Sequence, residues 1–122
     1  MRFELRSGEV LLQKEEGITC GENMTETTCG TLYLTNQRIA FAVLSGAKRL
    51  ISEFFPIFAG NDIVWEANLN EITKLGQRIS RMFVARAIWT PTATYSFVVN
   101  GGAWPSRIRD AVDSARKREN AS

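Results

Sequence analysis

Gly30-Thr31-Leu32-Tyr33-Leu34-Thr35-Asn36-Gln37-Arg38-Ile39-Ala40-Phe41-Ala42-Val43 alternates in polarity, stops for three residues and alternates again. Side chains on an extended strand point to opposite faces in turn, so Leu32 and Leu34 share one face while Thr31 and Tyr33 share the other. After Thr35-Asn36-Gln37, the residues Ile39, Phe41 and Val43 form an apolar row that faces back toward the leucines, which specifies the register of an antiparallel hairpin. Asn36 suits the turn because its short amide bonds to nearby backbone and tolerates positive φ.

Outward from this hairpin, Val10 to Lys14 reads as a strand entered from the turn Ser7-Gly8-Glu9. From Glu15 to Thr27 the chain is polar, acidic and rich in Gly, Thr and Asn, which predicts a long loop. On the other side, Ile63 to Glu66, Glu71 to Leu75, Met82 to Trp89 and Thr94 to Val99 are strand candidates. Asn68-Leu69-Asn70, Gly76-Gln77 with Arg78 to Arg81, and Thr90-Pro91-Thr92-Ala93 read as the turns between them. Tyr95, Phe97 and Val99 on one face, against Ser96 and Val98 on the other, give the alternation of a half-buried antiparallel strand.

After Gly101-Gly102 the period changes to that of a helix. Trp104, Ile108, Val112 and Ala115 make one stripe, predicting an amphipathic helix from about Ala103 to Arg118, with Pro105 tolerated in the first turn. Seven short strands and one C-terminal helix imply a mainly β, seven-stranded antiparallel sandwich or partly open barrel. Its sheets pack face to face, and the Trp104–Ile108–Val112 stripe caps one end. One domain is expected over 1–122, with a core from about 9 to 118 and fraying last residues.

Composition narrows function. The chain of 122 residues contains no histidine, which removes Ser-His and Cys-His nucleophile pairs, imidazole bases and His metal ligands. Cys20 and Cys29 are too few for a four-thiolate zinc site and read as reduced structural thiols. A non-enzyme without metal or cofactor is expected. No opening segment has the pattern of a signal peptide and no apolar run approaches a membrane span, so a cytoplasmic chain without a transmembrane segment is expected. The net charge of +2 is mild, and basic residues are not regularly interleaved with aromatics, so a nucleic-acid partner is not expected. The charge is uneven: between Glu71 and Asp110 there is no acidic residue, while Lys74, Arg78, Arg81, Arg86, Arg107 and Arg109 fall in that stretch. Such a run can attract an anionic partner or serve as a solvated surface.

The hairpin segment, with its element order, resembles GRAM and related bacterial PH domains of the pleckstrin-homology-like superfold. Gly30, Tyr33, Thr35, Asn36, Arg38 and Phe41 fall in the register of that recurring segment. Phe54-Phe55-Pro56-Ile57-Phe58, Tyr95-Ser96-Phe97 and Gly101-Gly102-Ala103 before Trp104 are similar to GRAM domains of the WW-domain-binding-protein type. The chain departs from those adaptors in lacking a Pro-rich tail with PPxY, so WW binding is not carried over. The resemblance implies a recognition module that meets proteins or phosphoinositide membranes. It also implies that the usual lipid site lies in the loop joining the first two strands. There Lys14 stands against Glu15, Glu16, Glu22 and Glu26, a setting that repels a polyphosphate.

Anion or lipid candidates are therefore Lys48 and Arg49 in the loop after the hairpin, and Lys74, Arg78, Arg81 and Arg86 on the later strands, where guanidiniums could hold a phosphate by paired hydrogen bonds. For Arg38 the resemblance implies a structural role, since its position in the recurring segment is a strand start, with its stem covering apolar surface. Phe54, Phe55, Ile57 and Phe58 have three readings: packing over the sandwich edge, an exposed patch for a protein partner or a second copy, or shallow membrane insertion beside Lys48 and Arg49. The leading expectation is binding by protein contact, including homo-oligomerisation. The alternative is peripheral attachment to anionic lipid through a non-standard basic patch.

Overall fold

The hairpin forms in the register its alternation specifies: Leu32 lies opposite Phe41 and Leu34 opposite Ile39. All four side chains are completely buried. The computed structural model describes residues 3–20, 27–43, 62–79, 84–99 and 103–121. These comprise β1 (Leu11–Cys20), β2 (Thr27–Thr35), β3 (Arg38–Val43), β4 (Asp62–Asn68), a 3₁₀ turn (Leu69–Glu71), β5 (Lys74–Ile79), β6 (Val84–Trp89), β7 (Thr94–Val99) and α1 (Trp104–Ala121).

Among the described residues the seven strands make one antiparallel sheet in the order β4-β3-β2-β1-β7-β6-β5. The two halves expected to face each other do so, and β1 joins them. It pairs along β2 from Leu11 to Cys20 with a register shift between Leu11 and Gln13, and Gly17 to Cys20 also pair with β7. The sheet curls so that Leu32, Leu34, Ile39, Phe41 and Trp65 from one half meet Ile88 and Phe97 from the other. Trp104, Ile108, Ala111 and Val112 of α1 close the same cluster. This is a PH-like architecture: a mainly β, partly open barrel with one C-terminal helix as its cap.

Polar links cross the core where apolar packing alone would leave donors stranded. The indole N–H of Trp65 donates to Thr19 Oγ1 at 2.8 Å, and that hydroxyl donates to the carbonyl of Ser96 at 3.0 Å, tying β4, β1 and β7 together. The indole N–H of Trp104 donates to the carboxylate of Glu15, which anchors the start of α1 on β1. Trp65 also stacks on Tyr95 with ring centroids 4.6 Å apart.

The structure revises three expectations. Glu15 to Cys20 belong to β1 rather than to a loop, so Lys14, Glu15 and Glu16 are strand residues and only 21–26 lies between β1 and β2, outside the described residues. Composition misleads here because this part of β1 is held from both sides by backbone pairing. Gly17 faces Gly30 on one side and Val99 on the other, and a Cβ on Gly17 would lie 2.4 Å from the carbonyl oxygen of Val98. Next, Gly76-Gln77 is not a turn. β5 begins at Lys74 and runs through both residues, Gly76 pairing with Ala87 and Gln77 with Arg86, while Glu71 sits in the 3₁₀ turn. The Trp89 ring crosses Gly76, where a Cβ would come within 3.1 Å of it, a tight contact. Finally, the helix runs to Ala121, past the expected end at Arg118.

Candidate functional site

A cleft of about 240 Å³ opens between β5, β6 and the first turns of α1. Ile88, Phe97 and Ile108, all buried, form its apolar floor, with Leu75 and Pro105 at its sides. Gln77, Arg86 and Arg109 supply its polar groups.

Sheet register explains how these side chains come together. Arg86 pairs with Gln77 on one side and Phe97 on the other, so all three share the sheet's inner face. On α1, Pro105, Ile108 and Arg109 follow a spacing of three and four and therefore share a helical face. Arg86 is half-buried and Arg109 exposed. Among the described residues neither makes an ion pair, and the three salt bridges found there lie elsewhere, on Arg6 and Arg38. The site thus presents two guanidiniums over an apolar floor, beside β5, the end strand of the sheet.

The other sequence-selected cations do not converge here. Lys74 pairs opposite Trp89 and Arg78 opposite Ala85, which places both on the outer face. Lys74 Nζ lies 4.8 Å from the Trp89 ring centroid, and an Arg78 N–H donates to Ser96 Oγ at 3.4 Å. Arg78 also acts on Cys20: burial raises the thiol pKa, and the guanidinium charge offsets part of that rise. Cys20 and Cys29 are both free. Lys48, Arg49, Arg81, Phe54, Phe55, Ile57 and Phe58 lie outside the described residues.

The motif residues of the hairpin form a second polar centre, closed rather than open. Thr35 Oγ1 accepts the backbone N–H groups of Gln37 and Arg38 at 3.1 and 3.0 Å and donates to Glu9 at 2.7 Å. Arg38 donates through Nε to Glu9 at 2.9 Å, through Nη1 to Glu66 at 2.6 Å and through Nη2 to the carbonyl of Glu4 at 2.6 Å. Phe3 stacks on Tyr33 and lies under the Arg38 guanidinium. Asn36 accepts the N–H of Val10 at 2.8 Å. Together these contacts strap the segment before β1 onto the outer face of β2 and β3. Burial pushes the Glu9 carboxyl up, but hydrogen bonds from Arg38, Thr35 and the Arg6 N–H, with the Arg38 charge, bring it below its ordinary value. Every donor of Arg38 that faces this strap is engaged, so the residue holds the fold.

Sequence reasoning selected Arg86 and set Arg109 in the same run without carboxylates, but it did not join Arg109, Pro105 or Ile108 to Arg86 in one site, and it passed over Gln77. The signal for the three helix residues was the helical spacing, which sets Arg109 beside the apolar stripe. No local feature foretold Gln77, because Gly76-Gln77 read as a turn.

No family model and no curated protein matches the chain. Solved structures do match: one is the C-terminal domain of an unknown protein from Leishmania infantum, with a TM-score of 0.53 and 16% identity over 89% of this chain and 86% of that one. At that identity the likeness concerns the fold alone. No described helix is long and apolar enough to cross a membrane.

Proposed function

We propose that this chain is a non-catalytic binding module of the GRAM type that works by protein contact, self-association included, in the cytoplasm and without a cofactor. The observation that carries the reading is the open cleft between β5 and α1, with an apolar floor and two guanidiniums that lack a carboxylate among the described residues. Concave, mostly apolar sites with a few fixed polar groups are suited to recognition. The GRAM assignment rests on the hairpin motif and the element order. The lipid alternative draws on the same guanidiniums, but Lys74 and Arg78 point to the other face, so a multi-phosphate headgroup would meet two of the described cations rather than four.

Sedimentation velocity from dilute to concentrated solution, with flotation on vesicles containing phosphatidylserine at low and physiological salt, separates the readings. Concentration-dependent association without flotation at physiological salt is expected. A strict monomer that floats, and stops floating in Arg86→Gln/Arg109→Gln, would replace protein contact with membrane attachment.

A further inference from the structure

We infer that the segment Glu4-Leu5-Arg6 and the start of β1 form the surface on which a second copy of this chain docks about a two-fold axis. This inference rests on the self-association part of the protein-contact reading and places the second copy on the strap over β2 and β3, away from the β5–α1 cleft.

Leu5 is 51% exposed and Val10 57%, and Leu11 and Leu12 are exposed as well. Local geometry joins them into one apolar patch. The Glu9 N–H donates to the carbonyl of Arg6 at 3.0 Å, with Gly8 at a φ of 75°, so the chain reverses there and Leu5 returns beside Val10. The β1–β2 register shifts between Leu11 and Gln13, which leaves Leu12 without an opposite residue. Such a bulge breaks the alternation under which every second side chain would turn inward, and three consecutive aliphatic residues stand out together. The patch is also held in place. Arg38 Nη2 donates to the carbonyl of Glu4 at 2.6 Å, Phe3 stacks on Tyr33, and Asn36 accepts the N–H of Val10 at 2.8 Å. A surface already ordered in the free chain loses little freedom when it is covered.

Charge complementarity selects the occupant. Glu4 and Arg6 flank Leu5 with opposite charges, and both are exposed. Among the described residues the Glu4 carboxylate makes no ion pair, and Arg6 reaches Glu66 only at 3.4 Å. A two-fold axis that sets Leu5 against Leu5 in antiparallel segments brings Glu4 onto the partner's Arg6 and Arg6 onto the partner's Glu4, the reciprocity of an isologous interface. An anionic bilayer fits less well, because the charges beside Leu5 cancel. A partner of one strong charge would be drawn by one flank and repelled by the other.

The test is sedimentation velocity of the full chain and its variants from dilute to concentrated solution, with thermal melts to establish that each variant folds. The wild type should dimerise. Leu5→Asp, at an exposed position, should raise the dimer Kd about tenfold or more, with Leu5→Ser as a milder second variant. Ile79→Asp, at a residue 78% exposed on another strand, should leave it unchanged. Glu4→Arg and Arg6→Glu should each raise Kd about tenfold, because symmetry turns two attractive contacts into two repulsive ones. An equimolar mixture of those two variants should associate as the wild type does, since each unlike pair of copies regains both contacts. Wild-type association in the folded Leu5 variants or in the single charge reversals, an equal loss in Ile79→Asp, or a mixture no better than its components would overturn the inference and leave self-association to another surface. A wild type that stays monomeric at every concentration would remove the self-association reading itself, and this inference with it.

Discussion

Arg38 Nε and Glu9 Oε2 meet at 2.9 Å, with side chains only 3% and 0% exposed. The pair lies between the segment before β1 and the turn that joins β2 to β3, and Thr35 and Glu66 share it. Removing one member of a buried pair strands the other, at a cost of about 3–5 kcal/mol. Arg38→Met should lose stability on that scale in urea denaturation. Arg6→Ala, at the half-exposed Arg6–Glu66 contact of 3.4 Å, should cost less than about 1 kcal/mol.

The same pair makes stability depend on pH. Glu9 has a folded pKa below its ordinary value, because the bonds from Arg38 and Thr35 outweigh burial. Its contribution is therefore complete above the unfolded carboxylate pKa, roughly 4.3, and is lost as pH falls through the lower folded value. Urea midpoints of the wild type and Glu9→Gln should differ at neutral pH and draw together in acid. A gap that stays constant into strong acid would contradict this assignment.

Thr19 carries the polar link across the core. Thr19→Val preserves its shape but leaves the Trp65 N–H without its acceptor, and an unsatisfied buried donor costs about 1–3 kcal/mol. Denaturation monitored by tryptophan fluorescence should show that loss, whereas Thr28→Val, on the half-buried part of β2, should change little.

Gly17 permits β1 to serve both halves of the sheet. Gly17→Ala places a methyl against the Val98 carbonyl and the Val99 side chain, so β1 and β7 must separate. Overpacking of this kind costs about 1–3 kcal/mol. Amide hydrogen exchange should be faster at Phe97 to Val99 than in the wild type.

How much of this was legible depended on whether side chains or backbone carried the information. Leu32, Leu34, Ile39 and Phe41 announced their hairpin because one face of it is buried, and Trp104, Ile108 and Val112 announced their helix for the same reason. Glu15 to Cys20 looked like a loop because its strand character comes from hydrogen bonds to β2 and β7, which no side-chain pattern records. Gly76 looked like a turn because the Trp89 ring that crowds this position belongs to another strand. Arg86 stood out in a stretch without carboxylates, but its neighbours Gln77 and Arg109 are set by strand register and by the docking of α1. The resemblance implied a structural Arg38 through its stem, whereas the structure engages its guanidinium with Glu9 and Glu66, and Glu9 comes from a segment with no pattern of its own.

Sedimentation velocity of the full chain over a wide concentration range tests the protein-contact reading most directly. Association that grows with concentration, without flotation on phosphatidylserine vesicles at physiological salt, is expected. A chain that stays monomeric at every concentration and floats on those vesicles would contradict it.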